Sequence, residues 1–182
     1  MTARRRARFF TGEQTDPRYG AVTTGDERAV LGEQLRAQRA TLELKCAGLA
    51  AELDRRSVAP STMSLLGLLR HLTDVERRWF RGILAGEDPA PLYATPDNAD
   101  GDFDGALAEP EAVTAAWEAW RAEVAFAEKF VETAADLDVE GEDPFLGAVS
   151  LRWVLVHMIQ EYARHNGHAD LLRERIDGAV GF

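Results

Sequence analysis

The 182-residue sequence has a single cysteine, Cys46, and no apolar run close to the ~20 residues that a membrane-spanning helix requires. One cysteine cannot form an intramolecular disulfide, so a secreted, disulfide-stapled scaffold is excluded and a reducing compartment is expected. Basic residues are also scarce, because 21 lysines and arginines stand against 31 acidic residues, for a formal charge of -10. Nucleic-acid binding needs a net basic surface, so these counts favour a small-molecule partner over nucleic acid or membrane.

The length and an apolar content of 46% are enough to bury one core. We expect a flexible N-terminal segment over residues 1–22 and a single domain over residues 23–182. The basic start of the chain has the charge of a signal peptide, but the polar residues 11–14 stand where the apolar part of such a signal should follow. The sequence therefore predicts a cytoplasmic protein.

Apolar residues recur at spacings of three, four and seven in four stretches. This predicts amphipathic helices at about 26–56, from 61 or 64 to 85, at 111–135 and at 150–176. Residues 86–110 are rich in Pro, Asp, Gly and Asn, which is typical of a loop. No stretch alternates apolar and polar residues for long, so a sheet is not expected. We therefore predict an all-α four-helix bundle with a long loop between helices two and three. Bundles place their sites between facing helices.

Three of the four histidines, His157, His165 and His168, lie in the last predicted helix. At 3.6 residues per turn, Glu161 and His165 lie one turn apart on the same face and can reach one metal ion. A third ligand must come from another helix, and His71 in helix two is the only histidine outside the last helix. Two imidazoles and one carboxylate leave a coordination position open, as in catalytic zinc sites. His71 and His157 can equally be histidines satisfied within a core.

The open position would take either water or a thiol, and a metal lowers the pKa of both. The residues alone therefore leave open a metal-dependent hydrolase and a thiol-dependent enzyme. A third reading is a non-catalytic bundle that binds a metal or a metabolite. Zinc is the expected ion, and nickel or iron would suit the same donors.

Several polar neighbours could assist the predicted site. Asp170 lies close enough along the helix to accept a hydrogen bond from a histidine, or it could pair with Arg173 on the surface. Tyr162 is a candidate oxyanion donor or a packing residue. Arg164 and Arg152 could bind a carboxylate of a cofactor, or they could be solvated.

Residues 100–111 match the pattern of an EF-hand calcium loop, with acidic residues at its first, third, fifth and last positions. The preceding segment contains Pro89, Pro91 and Pro96 and cannot form the entering helix, and Pro110 directly precedes the last acidic residue. A solvated acidic loop near the mouth of the site is therefore expected rather than a calcium site.

Two stretches, 64–80 around His71 and 151–170 around Glu161 and His165, together resemble the DinB-like superfamily of four-helix-bundle metalloproteins. The likeness covers about residues 25–178. It implies a divalent metal, often zinc or nickel, bound by His71 from helix two and by the Glu161–His165 pair from the last helix.

His168 stands where many of these relatives have glutamine, so the resemblance makes it a group that supports a ligand, contacts substrate or competes as a ligand. The glutamate of the pair is similar to that of mycothiol-dependent maleylpyruvate isomerase. The resemblance therefore implies a thiol-dependent S-transferase or isomerase that uses a mycothiol-type low-molecular-weight thiol on a small electrophile. It also suggests a homodimer.

Overall fold

The computed structural model describes residues 16–18, 22–48, 56–107 and 109–179. The described elements are, in chain order, α1 (Glu27–Cys46), α2 (Leu65–Glu76) with its π-helical continuation (Arg77–Leu84), α3 (Gly101–Asp104), α4 (Pro110–Thr133), β1 (Glu140–Asp143), β2 (Gly147–Ser150) and α5 (Leu151–Ile176). None of the helices in these ranges has both the length and the apolar character needed to cross a bilayer. The predicted flexible segment 1–22 lies almost entirely outside the described residues.

The long helices begin near the predicted positions because their starts are capped. Asp26, Ser64 and Ser150 each accept a hydrogen bond from the backbone N–H three residues further on. Such caps satisfy an N–H group that the first turn leaves without a partner. α4 instead begins with Pro110, whose missing N–H costs nothing in a first turn.

The first helix ends at Cys46, well before the predicted end at Arg56. Ala47 has an extended backbone, and Gly48 has a φ of 75°, a conformation that glycine adopts without strain. The periodicity therefore overestimated the length of this helix. The remainder of the predicted helix, residues 49–55, lies outside the described residues.

The apolar faces of the long helices pack against one another, with α1 mainly on α5 and α2 mainly on α4. The largest fully buried apolar side chains come from α1, α2 with its π-helical continuation, and α5: Leu35, Leu42, Leu65, Leu68, Leu69, Leu72, Phe80, Leu151, Leu155, Met158. Full burial of one such side chain contributes about 1.5–3 kcal/mol. The predicted all-α bundle is confirmed.

The second helix widens into a π-helix in its last turns. The backbone N–H of Ala85 donates to the carbonyl of Phe80, five residues earlier, at 2.9 Å. Wider turns of this kind are rare and are often found at functional sites. The apolar pattern predicted the extent of this helix but not the change in its turns.

A short antiparallel hairpin lies between α4 and α5, where the sequence predicts no sheet. Asp143 closes its turn by accepting hydrogen bonds from the backbone N–H groups of Phe145 and Leu146. The hairpin packs closely on the end of helix two, because a Cβ atom at Gly141 would lie 2.1 Å from the carbonyl oxygen of Ile83. Strands of four residues are too short for the alternation that identifies a strand in a sequence.

The predicted long loop is confirmed. It joins the π-helical continuation of α2 to α4, contains the short helix α3 and is bound to α2. The carboxylate of Asp74 accepts hydrogen bonds from the backbone N–H groups of residues 92–94. Arg70 donates to the carbonyl oxygens of Gly101 and Gly105. These contacts hold α3 and its neighbours beside the middle of α2.

Candidate metal centre

Three predicted metal ligands meet where α2 faces α5. His71, Glu161 and His165 each offer one ligand atom, and these atoms lie within 4.8 Å of one another. Oε1 of Glu161 is 3.6 Å from Nε2 of His71 and 3.3 Å from Nε2 of His165. Within the part of the chain that the structure describes, no other three His, Cys, Asp or Glu side chains converge in this way. We call this group the ligand cluster.

The imidazole of His71 is oriented by a residue from the long loop. Its Nδ1–H donates to Oδ2 of Asp102 at 2.7 Å, and its ring stacks on Phe103 with centroids 5.2 Å apart. The other carboxylate oxygen of Asp102 accepts a hydrogen bond from the backbone N–H of Phe103. A carboxylate on one imidazole nitrogen leaves the other nitrogen free to bind a metal. In the sequence, Asp102 is recognisable only as part of the calcium-loop pattern, and nothing there predicts its contact with His71.

His168 contacts Nδ1 of His165, the ring nitrogen that does not face Glu161. The Nδ1 atoms of His168 and His165 are 3.3 Å apart, whereas Nε2 of His165 faces Glu161. His168 is not one of the three clustered donors, and its contact in the site is with His165. The exposed side chain of Arg164 lies beside the cluster, with Nη1 3.9 Å from Oε2 of Glu161.

His157, the other candidate ligand in the last helix, lies in an aromatic group. Its ring stacks on that of Trp153 at 4.9 Å and meets the ring of Trp79 edge-on at 4.8 Å. These contacts give His157 a packing environment outside the ligand cluster.

The protonation preferences of Glu161 and His165 suit metal binding, whereas His71 retains a proton more readily than an ordinary histidine. Burial, followed by the charge of His71, lowers the pKa of His165 to about 4. Burial raises the pKa of Glu161, but the charge and hydrogen bond of His165 and the contact with His71 outweigh it, and the net pKa is lowered. Burial lowers the pKa of His71, but its hydrogen bond to Asp102 prevails and the pKa is raised. At neutral pH, His165 is therefore neutral and Glu161 is ionised.

The residues present fit a divalent metal. Nε2 of His71 is buried and has no hydrogen-bond partner among the described residues. A buried polar atom without a partner costs about 1–3 kcal/mol, which an ion at this position would offset. Imidazole nitrogens with one carboxylate oxygen are donors that zinc, nickel and iron accept. With an ion bound, Asp102 and His71 would form the carboxylate–histidine–metal arrangement common in metalloproteins.

Tyr162 lies in a buried hydrogen-bond network of the core. Its hydroxyl donates to Oε1 of Glu76 at 2.8 Å and accepts from the indole N–H of Trp120 at 3.0 Å. Glu76 in turn receives the guanidinium of Arg39 on both oxygens, at 2.8 and 2.7 Å. Burial, reinforced by the charge of Glu76, raises the pKa of Tyr162 well above its ordinary value. We name Arg39, Glu76, Trp120 and Tyr162 the core network.

Two further predicted site residues form ion pairs elsewhere. Asp170 pairs with the buried Lys45 of α1, and its predicted contact with a site histidine is not among the contacts that the structure shows. Arg152 binds Glu27 and Asp138 at the start of α5. The structure therefore does not bring Asp170 or Arg152 into the ligand cluster.

The acidic segment 100–111 does not form a second cluster of donors in the described residues. The short helix α3 forms the first part of this segment, and the carboxylate of Asp102 accepts a hydrogen bond from His71. The calcium-loop pattern thus coincides with a segment that supports the ligand cluster.

A cavity of about 460 Å³ adjoins the ligand cluster, because His71 and Asp102 form part of its wall. The rest of the wall comes from the end of α2 with its π-helical continuation, from the loop that follows it and from the hairpin. We call this space the side cavity.

The family model of Mycothiol-S-transferase matches residues 30–178. The chain belongs to the mycothiol S-transferase family. The matched range contains the whole ligand cluster, Asp102 and the core network of this mycothiol S-transferase family member. The predicted resemblance to the DinB-like superfamily is thereby confirmed.

The fold of this mycothiol S-transferase family member is similar to that of a solved structure, a conserved protein of a locus from Enterococcus faecalis. The TM-score is 0.57 at 16% sequence identity, over 85% of this chain and 99% of that chain. At this identity the similarity shows the fold alone. No curated protein matches the chain.

Proposed function

We propose that this mycothiol S-transferase family member is a divalent-metal-dependent enzyme that transfers a mycothiol-type thiol to a small electrophile. The observation that carries the proposal is the convergence of His71, Glu161 and His165 within 4.8 Å. These residues lie inside the range that matches the family. Zinc is the proposed ion, and nickel or iron would suit the same donors.

A divalent metal in the cluster would act as a Lewis acid that favours the thiolate form of a bound thiol. The other contributions come from the protein. Asp102 holds Nδ1–H of His71, so that Nε2 faces the cluster. Glu161 supplies one negative charge, and two neutral imidazoles add none. The net charge of such a site is about +1, which still attracts an anionic sulfur.

The proposed transfer forms one carbon–sulfur bond. The thiol releases its proton to solvent, and the thiolate lone pair forms a bond to an electrophilic carbon of the substrate. In a substitution that carbon loses a leaving group, which departs with its bonding pair. In an addition a π pair of the substrate shifts to the neighbouring atom, which takes up a proton. An isomerase would form and then break the same carbon–sulfur bond. The exposed Arg164 beside Glu161 is the predicted cofactor-binding residue that lies near enough to meet a ligand carboxylate.

We extend the proposal to the surroundings of the enzyme. A cytoplasmic location and a small-molecule substrate, with neither nucleic acid nor membrane as partner, agree with one cysteine and a charge of -10. The predicted homodimer is tested by light scattering after size exclusion. Phe145 and Leu146 at the tip of the hairpin are exposed apolar side chains available for such a contact.

The decisive experiment measures metal content by mass spectrometry on protein without a histidine tag. We expect one divalent ion per chain in the wild type and loss of the ion in His71→Ala and Glu161→Gln. His157→Ala is the matched control, because His157 lies in α5 but outside the ligand cluster. Wild type without stoichiometric metal, and with no change in melting temperature on added zinc, would overturn the proposal.

Turnover of a model electrophile then separates the alternative functions. Transfer requires thiol, so product that forms without any thiol would indicate a hydrolase. A His165→Ala variant that stays folded and loses turnover supports an enzyme. If His165→Ala lowers only stability and the wild type turns over no electrophile, the chain is a metal- or metabolite-binding bundle.

A further inference from the structure

The wall of the side cavity is mostly apolar. The cavity volume of about 460 Å³ is ordinary for a small-molecule site. The apolar wall residues come from α2, its π-helical continuation, the long loop and the hairpin, and include Val75, Ile83, Pro89, Pro91, Ala94, Pro144. Three of them are prolines, whose fixed φ angle limits the freedom of the backbone. The cavity therefore presents a preformed apolar surface to a ligand.

Three carboxylates of the wall are already engaged by the protein. Asp74 accepts hydrogen bonds from three backbone N–H groups of the long loop, at 2.7 to 3.0 Å. Asp102 accepts a hydrogen bond from His71. Glu87 forms an ion pair with Arg81 at 3.4 Å. These contacts tie the carboxylates to the protein itself, which leaves the apolar residues as the main contacts for a ligand.

Both arginines of the wall are engaged as well. Arg77 donates to Oε1 of Glu123 at 2.8 Å and to the carbonyl oxygen of Ala90 at 2.8 Å. Arg78 forms an ion pair with Asp143. Among the residues that the structure describes, the wall therefore offers a ligand no unpaired guanidinium.

Two exposed acidic residues, Asp88 and Glu142, complete the charged part of the wall. A charged group that enters an apolar site loses its hydration, and the two carboxylates add repulsion for an anion. Because both arginines of the wall are paired, they do not offset these costs for an anion. The wall therefore favours an uncharged ligand over an anionic one.

His71 connects the side cavity to the ligand cluster. It lines the cavity, and it also contributes one of the three clustered donor atoms. A molecule whose apolar body lies in the cavity can therefore place a reactive carbon beside the ligand cluster. This position is where a thiolate sulfur would meet its target.

We propose that the side cavity binds the apolar body of an uncharged electrophile and so selects the substrate class of the enzyme. The proposal rests on the proposed function. With an alkyl halide as the electrophile, the thiolate sulfur forms a bond to the carbon that carries the halogen. The halide leaves with the bonding pair, and the proton of the thiol goes to solvent. An electrophile with a carboxylate on its body is disfavoured, because the carboxylate would lose its hydration in the cavity.

Gly82 in the π-helical continuation is the position at which the cavity can be filled. It lines the wall, and a Cβ atom at Gly82 would lie 3.9 Å from Cδ of Pro89, an ordinary contact distance. Gly82→Leu therefore adds apolar atoms to the cavity without a clash at Cβ. Gly32→Leu is the matched control, because Gly32 lies in α1, does not line the cavity and has open space around its Cβ position.

Binding is measured by ligand-observed NMR titration of the full chain, as isolated and after metal removal, and needs no turnover. The probes are naphthylmethanol, which is unreactive and uncharged, and hydroxymethylnaphthoate, which differs by one ring carboxylate. We expect naphthylmethanol to bind the wild type in both forms, and the carboxylate probe to bind at least about tenfold more weakly. Gly82→Leu should weaken the binding of naphthylmethanol at least about tenfold, and Gly32→Leu should leave it unchanged.

Inhibition of the zinc-loaded enzyme identifies which substrate the cavity holds. The substrates are mycothiol and chloromethylnaphthalene. Naphthylmethanol should compete with the electrophile and not with the thiol. Competition with the thiol alone would show that the thiol occupies the cavity, and it would overturn the proposal.

Three binding results would also overturn the proposal. They are the absence of naphthylmethanol binding, equal affinity for the two probes, and equal effects of Gly82→Leu and Gly32→Leu. If Gly82→Leu does not fold, Ala99→Leu at an exposed loop position of the same wall replaces it. Naphthylmethanol binding by a protein that holds no metal when isolated would refute the proposed function and leave the cavity assignment standing. Metal-dependent thiol transfer without naphthylmethanol binding would refute the cavity assignment alone.

Discussion

Replacing Tyr162 by phenylalanine separates a structural role for its hydroxyl from a catalytic one. The hydroxyl is fully used in the core network, where it donates to Glu76 and accepts from Trp120. Tyr162→Phe keeps the ring and removes only these two hydrogen bonds. We therefore expect lower stability, with metal content and turnover per folded chain retained.

The magnitude follows from the two bonds. A buried hydrogen bond to a charged carboxylate contributes about 1.5–3 kcal/mol, and an indole N–H left without a partner costs about 1 kcal/mol more. The expected loss in the free energy of unfolding is thus about 2.5–4 kcal/mol. The charge of Glu76 stays paired, because Arg39 still binds both of its oxygens. For a domain of this size the melting temperature should fall by roughly 5–15 °C.

The assay is urea unfolding followed by circular dichroism, together with metal content and turnover at a temperature where the variant is folded. Tyr93→Phe is a control that removes a hydroxyl and keeps the ring beneath Arg70. A loss of stability below ~1 kcal/mol would refute the reasoning from the core network. Unchanged stability with abolished turnover at full metal loading would instead support the oxyanion-donor prediction.

Three further predictions concern the ligand cluster and the backbone. Asp102→Asn should weaken metal affinity about 10- to 100-fold without changing the fold, because His71 loses the carboxylate that orients its ring. Competition with a chelator measures the affinity, and an unchanged affinity would contradict this role of Asp102. As pH falls from about 7 to 5, metal affinity should decrease with a slope of roughly one proton per ion rather than two. Protons compete with the metal, and the pKa of His71 is raised while that of His165 is about 4. A slope of two in titrations at several pH values would show that His165 also titrates. Gly141→Ala should lower the free energy of unfolding by more than ~2 kcal/mol, because the added Cβ atom would meet the backbone of Ile83. Gly32→Ala within α1 should raise the free energy of unfolding by up to ~1 kcal/mol, because the added Cβ atom has open space. Equal effects of the two substitutions in urea unfolding would contradict this.

The long helices and the members of the ligand cluster could be predicted because their signals are local. The helices that Asp26, Ser64 and Ser150 cap begin within four residues of their predicted starts, and the spacing of Glu161 and His165 fixes their common face. Both depend only on the geometry of one helix.

The rest depends on contacts between distant segments. Asp102 is 31 residues from His71 and lies in a loop without periodicity, so its contact with the imidazole leaves no pattern in the sequence. The hydroxyl of Tyr162 meets Glu76 across 86 residues for the same reason. The residue types of Asp102 and Tyr162 make them candidates for a polar contact. Which residues they contact depends on how α2, the long loop and α5 pack against one another.

The position of Asp102 couples two binding events. Asp102 forms part of the wall of the side cavity, and its carboxylate holds the ring of His71. A ligand that displaces this carboxylate must also change how firmly His71 presents Nε2 to an ion. Thermodynamic linkage then requires the ion to change the affinity for that ligand by the same factor. The ligand concentration that half-saturates the side cavity would therefore depend on the supply of metal, because Asp102 links the two sites.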